Sequence, residues 1–253
     1  MRARGSTVWF VLALLALGTV YSTAYLGLGS RWWFEDDPAL YAYTSTIHNP
    51  LAIFTDPNVL RHFTGGAALV PMQLLSYWTD IKLAGFSPGF AYAHQICSFL
   101  LTLLLLFLLL SRWLNGDNLA AFFGSVLWAL LPSTAVVVQF LATRHYLEGL
   151  LFGALSLYLS DRSRGPRPRP ASEFCYPLAA VLSAAIAMLY KEIYAPVVPT
   201  LLIVLAWRHR DRALAALTVA LATCLASLRR IFTLLPTRLV AAHPLIATRP
   251  PRM

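Results

Sequence analysis

Long apolar runs separated by short charged clusters organise this chain from end to end. The first run, Thr7 to Gly29, follows Arg2 and Arg4. As a helix rising about 1.5 Å per residue it is long enough to cross a hydrocarbon layer of about 30 Å. Phe90 to Leu110, Leu119 to Phe140, Tyr146 to Leu159, Phe174 to Tyr190 and Ile193 to Trp207 continue the series, with Pro132 predicting a kink in the third run. Ala213 to Leu228 is a seventh candidate, interrupted early by Arg229 and Arg230. Between the first and second runs, Ser30 to Pro88 alternates prolines (38, 50, 57, 71 and 88) with apolar patches such as Leu40 to Tyr43 and Leu69 to Leu75. That pattern predicts short amphipathic helices lying along a surface, not a soluble domain with its own core. The chain therefore divides into an N-terminal anchor (1–29), an outer loop (30–88), a helix bundle (89–228) and a basic, proline-containing tail (229–253). The predicted fold class is all-α, a polytopic helical membrane protein of about six or seven spans.

Composition sharpens this picture. Hydrophobic residues make up 58% of the chain and charged residues 12%, with a mean hydropathy of +0.63. One globular core cannot hide that much apolar surface, so lipid is expected to cover the rest. The net charge of +9 is carried by arginines clustered between apolar runs, where the positive-inside rule explains them better than nucleic-acid binding does. Cys97, Cys175 and Cys224 lie in or beside apolar runs, without metal-like spacing, and read as small buried apolar residues. The first apolar run is longer than the core of a signal peptide and ends among Tyr21, Tyr25, Trp32 and Trp33, so a retained anchor is favoured over a cleaved signal.

Orientation follows from the arginines. Arg162, Arg164, Arg167 and Arg169 mark an inner loop, and Arg208, Arg210 and Arg212 mark the next. With the N-terminus cytoplasmic, three ionisable clusters then emerge together on the outer face: Glu35-Asp36-Asp37, Arg144-His145 and Lys191-Glu192. The chain has eleven acidic residues in all, so three in a row beside a membrane is a concentration. Such carboxylates can solvate a loop, pair with bases, hold a divalent cation or accept a proton from an attacking hydroxyl. The apolar run around Lys191 and Glu192 is nearly continuous, and charges set into such a run are expensive enough to imply pairing or function. Bases on these turns can hold a phosphate while a carboxylate moves a proton.

Several segments together resemble the GT-C membrane glycosyltransferases, and most of all the protein O-mannosyltransferases and their bacterial relatives that use polyprenyl-phosphate sugars. They are Phe34 to Pro38, Leu74 to Asp80, Gly85-Phe86-Ser87-Pro88, His94, Phe140 to Arg144, and Leu189-Tyr190-Lys191-Glu192 followed by Pro196 and Pro199. The resemblance spans roughly residues 31–212 and lies in the order and spacing of the set. It implies a mannosyltransferase-like enzyme that takes sugar from a lipid-linked donor on the outer face. Asp36 or Asp37 would be the general base, with Glu35 an alternative. Arg144 and Lys191 would neutralise the leaving phosphate, Glu192 would orient Lys191, His145 would join the substrate-binding set, and His94 would be either a polar contact near the acceptor or an interfacial core residue. No cofactor is implied with certainty, and a divalent cation is left open because members differ in using one. The tail departs from the family's pattern, since its arginines would fall outside if the seventh run crosses. That departure keeps a second reading in view, a truncated glycosyltransferase fold that binds a lipid phosphate without turning it over. A transporter is less favoured, because no internal repeat is evident.

Overall fold

The computed structural model describes residues 3–23, 32, 36–64, 70–162, 170–209 and 218. Among them the regular structure is helical: α1 (Ala3–Thr23), α2 (Asp36–Ser45), α3 (Ala52–Thr55), α4 (Pro57–Thr64), α5 (Pro71–Ala84), α6 (Pro88–Trp113), α7 (Asn118–Ala129), α8 (Pro132–Gln139), a 3-10 turn (Leu141–Thr143), α9 (Arg144–Arg162), α10 (Pro170–Tyr190) and α11 (Tyr194–His209). The fold is all-α. Glu35, the Arg164 to Arg169 loop, the seventh apolar run apart from Thr218, and the tail lie outside the described residues.

Local chemistry sets the helix boundaries. α5 ends at Gly85, whose φ of 67° suits a residue without a Cβ, and α6 begins at Pro88 under the Ser87 hydroxyl, which accepts from the Phe90 amide. Asn115 and Gly116, both at positive φ, turn the chain into α7, whose first turn is capped by Asp117 accepting from the Ala120 amide. α7 and α8 meet at a 61° bend over Leu130 and Leu131, immediately before Pro132. Proline disfavours helical geometry in the residue before it and cannot donate to the preceding turn.

Direction alternates through the bundle. Asn118, at the start of α7, donates to Thr7 at the start of α1, and Arg112 at the end of α6 meets Asp161 at the end of α9. At the opposite end, His94 near the start of α6 lies against Glu148 in the second turn of α9. α6 and α9 thus run side by side in the same direction, and the bent pair α7–α8 returns the chain between them. One apolar core joins α1, α6, α7, α8 and α9 through Leu14, Phe99, Phe107, Ala121, Val138 and Leu147. A second joins α6, α9, α10 and α11. α9 and α10 pack extensively and carry small buried residues, Ala154, Ala180, Ser183, Ala184 and Ala187, which let two helix backbones approach closely, while Gly153 faces Val198 of α11.

Among the described residues one helix, α6, is long and apolar enough to cross a membrane, and the bent α7–α8 pair also qualifies if counted as one span. Thr7–Val20 and Cys175–Tyr190 are shorter apolar helices. α9 carries Arg144, Glu148, Asp161 and Arg162 and is correspondingly less apolar. The cysteine expectation is corrected: Cys97 and Cys175 are free and exposed, on the outward faces of α6 and α10, and Cys224 lies outside the described residues.

Candidate functional site

At the end where α6 and α9 begin, side chains of α5 and α6 converge on Arg144, the first residue of α9. Its side chain is fully buried and every nitrogen has a partner. Nη1 lies 2.5 Å from Asp80 Oδ2 and donates to Ser76 Oγ at 3.2 Å; Nε donates to Gln95 Oε1 at 3.0 Å; Nη2 donates to the Ala91 carbonyl at 2.8 Å. The guanidinium also stands 5.1 Å from the centre of the Tyr77 ring. A planar, five-donor cation is the side chain suited to so many fixed acceptors.

α5 delivers most of those partners because its buried face follows helical spacing. Gln73, Ser76, Tyr77 and Asp80 share one face and are all buried. Asp80 accepts from the Tyr41 hydroxyl at 2.7 Å and lies 2.6 Å from His94 Nδ1. Burial alone would raise the Asp80 carboxyl, but the His94 contact and the Arg144 charge outweigh it and hold the group below its ordinary value. The other His94 nitrogen, Nε2, lies 3.1 Å from Glu148 Oε1. Ser76 and Ser98 hydroxyls reach the same oxygen, each at 3.3 Å, while Glu148 Oε2 is buried without a hydrogen-bond partner. Tyr190 brings its hydroxyl to this carboxylate from the end of α10. His94, about one-third exposed, connects this network to the surface.

Asp37 lies beside this cluster, and its neighbour does not. Asp36 is exposed; Asp37 is fully buried, with Oδ2 accepting from the Tyr92 hydroxyl and Oδ1 from the Ala142 amide, each at 3.1 Å. Burial pushes the Asp37 carboxyl up to about 6, against the lowering effect of those two hydrogen bonds. The short turn that supplies the Ala142 amide is itself fixed from α5. Gln73 donates to the Ala142 carbonyl at 2.7 Å and Tyr77 donates to the Leu141 carbonyl at 2.6 Å. The segment leading to Arg144 is therefore pinned on both sides, which places Asp37 and Arg144 in one electrostatic neighbourhood.

Lys191 and Glu192 occupy the break between α10 and α11 and form a neighbouring corner. Their charged atoms are 3.4 Å apart, and Lys191 Nζ lies 5.7 Å from the centre of the Tyr146 ring. Both side chains are partly exposed. His145 faces this pair and approaches the Ala142 backbone, and neither of its ring nitrogens has a well-formed hydrogen bond. Tyr146 also lines a largely apolar groove with Trp128, Thr134, Val137, Leu150 and Tyr194.

The structure thus gathers Asp37, Arg144, His94, His145, Lys191 and Glu192 at one end of the bundle, leaves Asp36 outside the network, and does not describe Glu35. Sequence reasoning missed Glu148, although a lone acid in an otherwise apolar stretch of helix was the available signal. It treated Asp80 as part of a resemblance without giving it a role. Its distance of 64 positions from Arg144 left no local clue to their pairing. No group of three or more potential metal ligands occurs among the described residues. No family model matches the chain, and neither a curated protein nor a solved structure does so.

Proposed function

We propose that this chain is a multi-pass membrane glycosyltransferase of GT-C type that takes sugar from a polyprenyl-phosphate donor, with its site at the outer end of the bundle. The observation that carries the reading is the convergence of Asp37, Arg144 with His94, and Lys191 with Glu192 at one end of a largely apolar bundle. Membrane insertion is supported by the alternating helix directions and by large apolar side chains left exposed along the helices. Trp9, Leu101, Phe123, Leu127 and Leu182 are each more than half exposed. In this reading Asp37 is the general base. A carboxyl that titrates near 6 is still ionised at neutral pH and is a stronger base than an ordinary aspartate. It takes the proton of an acceptor hydroxyl as the oxygen attacks the anomeric carbon and the bond to the lipid phosphate breaks. Lys191, partly exposed, is the cation offered to the departing phosphate.

The test is release and transfer of a labelled sugar from a polyprenyl-phosphate donor by the purified protein in detergent. Turnover by the parent is expected; donor turnover absent under conditions where the protein is monodisperse would count against an enzyme. A second reading, a non-catalytic binder of lipid phosphate, is favoured by the complete burial of Asp37 and of Arg144. It predicts donor binding without turnover, and loss of that binding on replacement of Lys191 but not of Asp37.

A further inference from the structure

Glu148 has no role in the chemistry described so far, yet it holds one of the two nitrogens of His94, the side chain through which the buried network reaches the surface. His94 is bracketed: Nδ1 faces Asp80 Oδ1 at 2.6 Å, with Arg144 Nη1 3.3 Å from the same nitrogen, and Nε2 faces Glu148 Oε1 at 3.1 Å. Carboxylates accept and do not donate, so a ring carrying hydrogens on both nitrogens satisfies both contacts at once. The charges point the same way. Asp80 and Glu148 bring two negative charges into a buried cluster with Asp37 beside it, and Arg144, shared among Asp80, Gln95, Ser76, His94 and Ala91, supplies one positive charge. Burying an uncompensated charge is costly, and the His94 imidazolium is the group placed to supply the second. Glu148 Oε1 accepts from the Ser76 and Ser98 hydroxyls, the Tyr190 hydroxyl approaches the same carboxylate, and Oε2 has no well-formed hydrogen bond. His94 is the cationic group in direct contact with Glu148, and Arg144 acts on it only from a distance.

We propose that Glu148 is a positioning residue that, with Asp80, fixes His94 as an imidazolium whose exposed edge contacts the anionic phosphate of the ligand, while Arg144 stays sealed behind it. The inference rests on the lipid-phosphate reading above. It moves the phosphate contact from Arg144, which has no exposed surface, to His94, whose side chain is about one-third exposed.

The consequence has a sign that plain electrostatics does not share. Removing a negative charge near an anion site should tighten anion binding. If Glu148 acts through His94, removing it should weaken binding instead. The experiment measures farnesyl phosphate binding to the full chain in detergent for the parent, Glu148→Gln, His94→Gln and the double variant. Parent binding is expected to fall about tenfold in each single variant, the scale of one interaction with a charged group. The double variant should be no weaker than His94→Gln alone, since Glu148 has no separate contact with the ligand. Unchanged or tighter binding in Glu148→Gln overturns the proposal and leaves the lipid-phosphate reading standing. If Glu148→Gln does not fold, His94→Gln, at a partly exposed position, decides the matter: parent-like binding there overturns the proposal. No binding of farnesyl phosphate by the parent overturns both.

Discussion

Arg144 with Asp80 and Arg112 with Asp161 are ion pairs of the same two residue types, set at opposite ends of α9, the first reaching α5 and the second α6. The first is sealed, its side chains 0% and 2% exposed, and is extended by Gln95, Ser76, Tyr41 and His94 into a network that ties α2, α5, α6 and α9 together. The second is 39% and 18% exposed, and its neighbours are the Asp161 carbonyl and the Tyr158 ring. Water and salt compete with Asp161 for Arg112, whereas nothing replaces Asp80 for Arg144 once the helices have closed. A charge pair fixes architecture, therefore, only where its alternatives have been removed.

The largest effect that would test this contrast is at Arg144. Arg144→Ala leaves Asp80 buried without its cation, a loss of about 3–5 kcal/mol, and Arg144→Lys cannot serve Gln95, Asp80 and Ala91 together. Both variants should lose thermal stability and monodispersity in detergent; a parent-like melting curve for Arg144→Ala would show that the network holds nothing together. Gly149→Ala comes next. Its new Cβ would collide with the ring of Tyr194, whose hydroxyl is held by the Tyr146 carbonyl, so α11 must shift, at a cost of about 1–3 kcal/mol. Gly124→Ala, which meets only the end of Leu110 at 3.1 Å, is the matched control and should melt closer to the parent. Arg112→Ala should be the mildest, changing stability by no more than about 1 kcal/mol, with the difference shrinking as salt is added.

The pH dependence of stability sharpens the same comparison at Asp37. Its folded value, about 6, lies above the ordinary 3.8, so the folded protein holds that proton over a range in which the unfolded chain has lost it. Its contribution to stability is therefore full below about 4 and is lost as pH rises through about 6. Asp37→Asn should remove this part of the melting-temperature decline between those limits, whereas Asp36→Asn should not.

How much of this was legible beforehand follows from the range of each interaction. The helical character and the run of apolar segments come from local composition, and the helix ends at Ser87, Pro88 and Asp117 are local signals too. The gathering of Asp37, Arg144 and Lys191 at one end could be anticipated from arginine-rich loops, because orientation is counted from charge along the chain. Which member of the acidic triplet turns inward could not. It depends on the Ala142 amide, 105 positions away, and on Tyr92, 55 positions away. Sealing of Arg144 was equally hidden, since a basic residue on a short turn reads as a group facing water until α5 is packed over it. The exposure of Cys97 and Cys175 has a similar origin: an apolar run does not reveal which of its faces meets another helix.

The most direct measurement of the central claim compares sugar transfer from a polyprenyl-phosphate donor by Asp37→Asn and Asp36→Asn, both shown to be folded. If the buried carboxylate is the base, Asp37→Asn loses about 100-fold or more in turnover while Asp36→Asn stays near the parent. The parent rate should also rise with pH around a midpoint near 6. Equal rates in the two variants, or loss confined to Asp36→Asn, would contradict the assignment of the cluster around Asp37 and Arg144 as the site of chemistry.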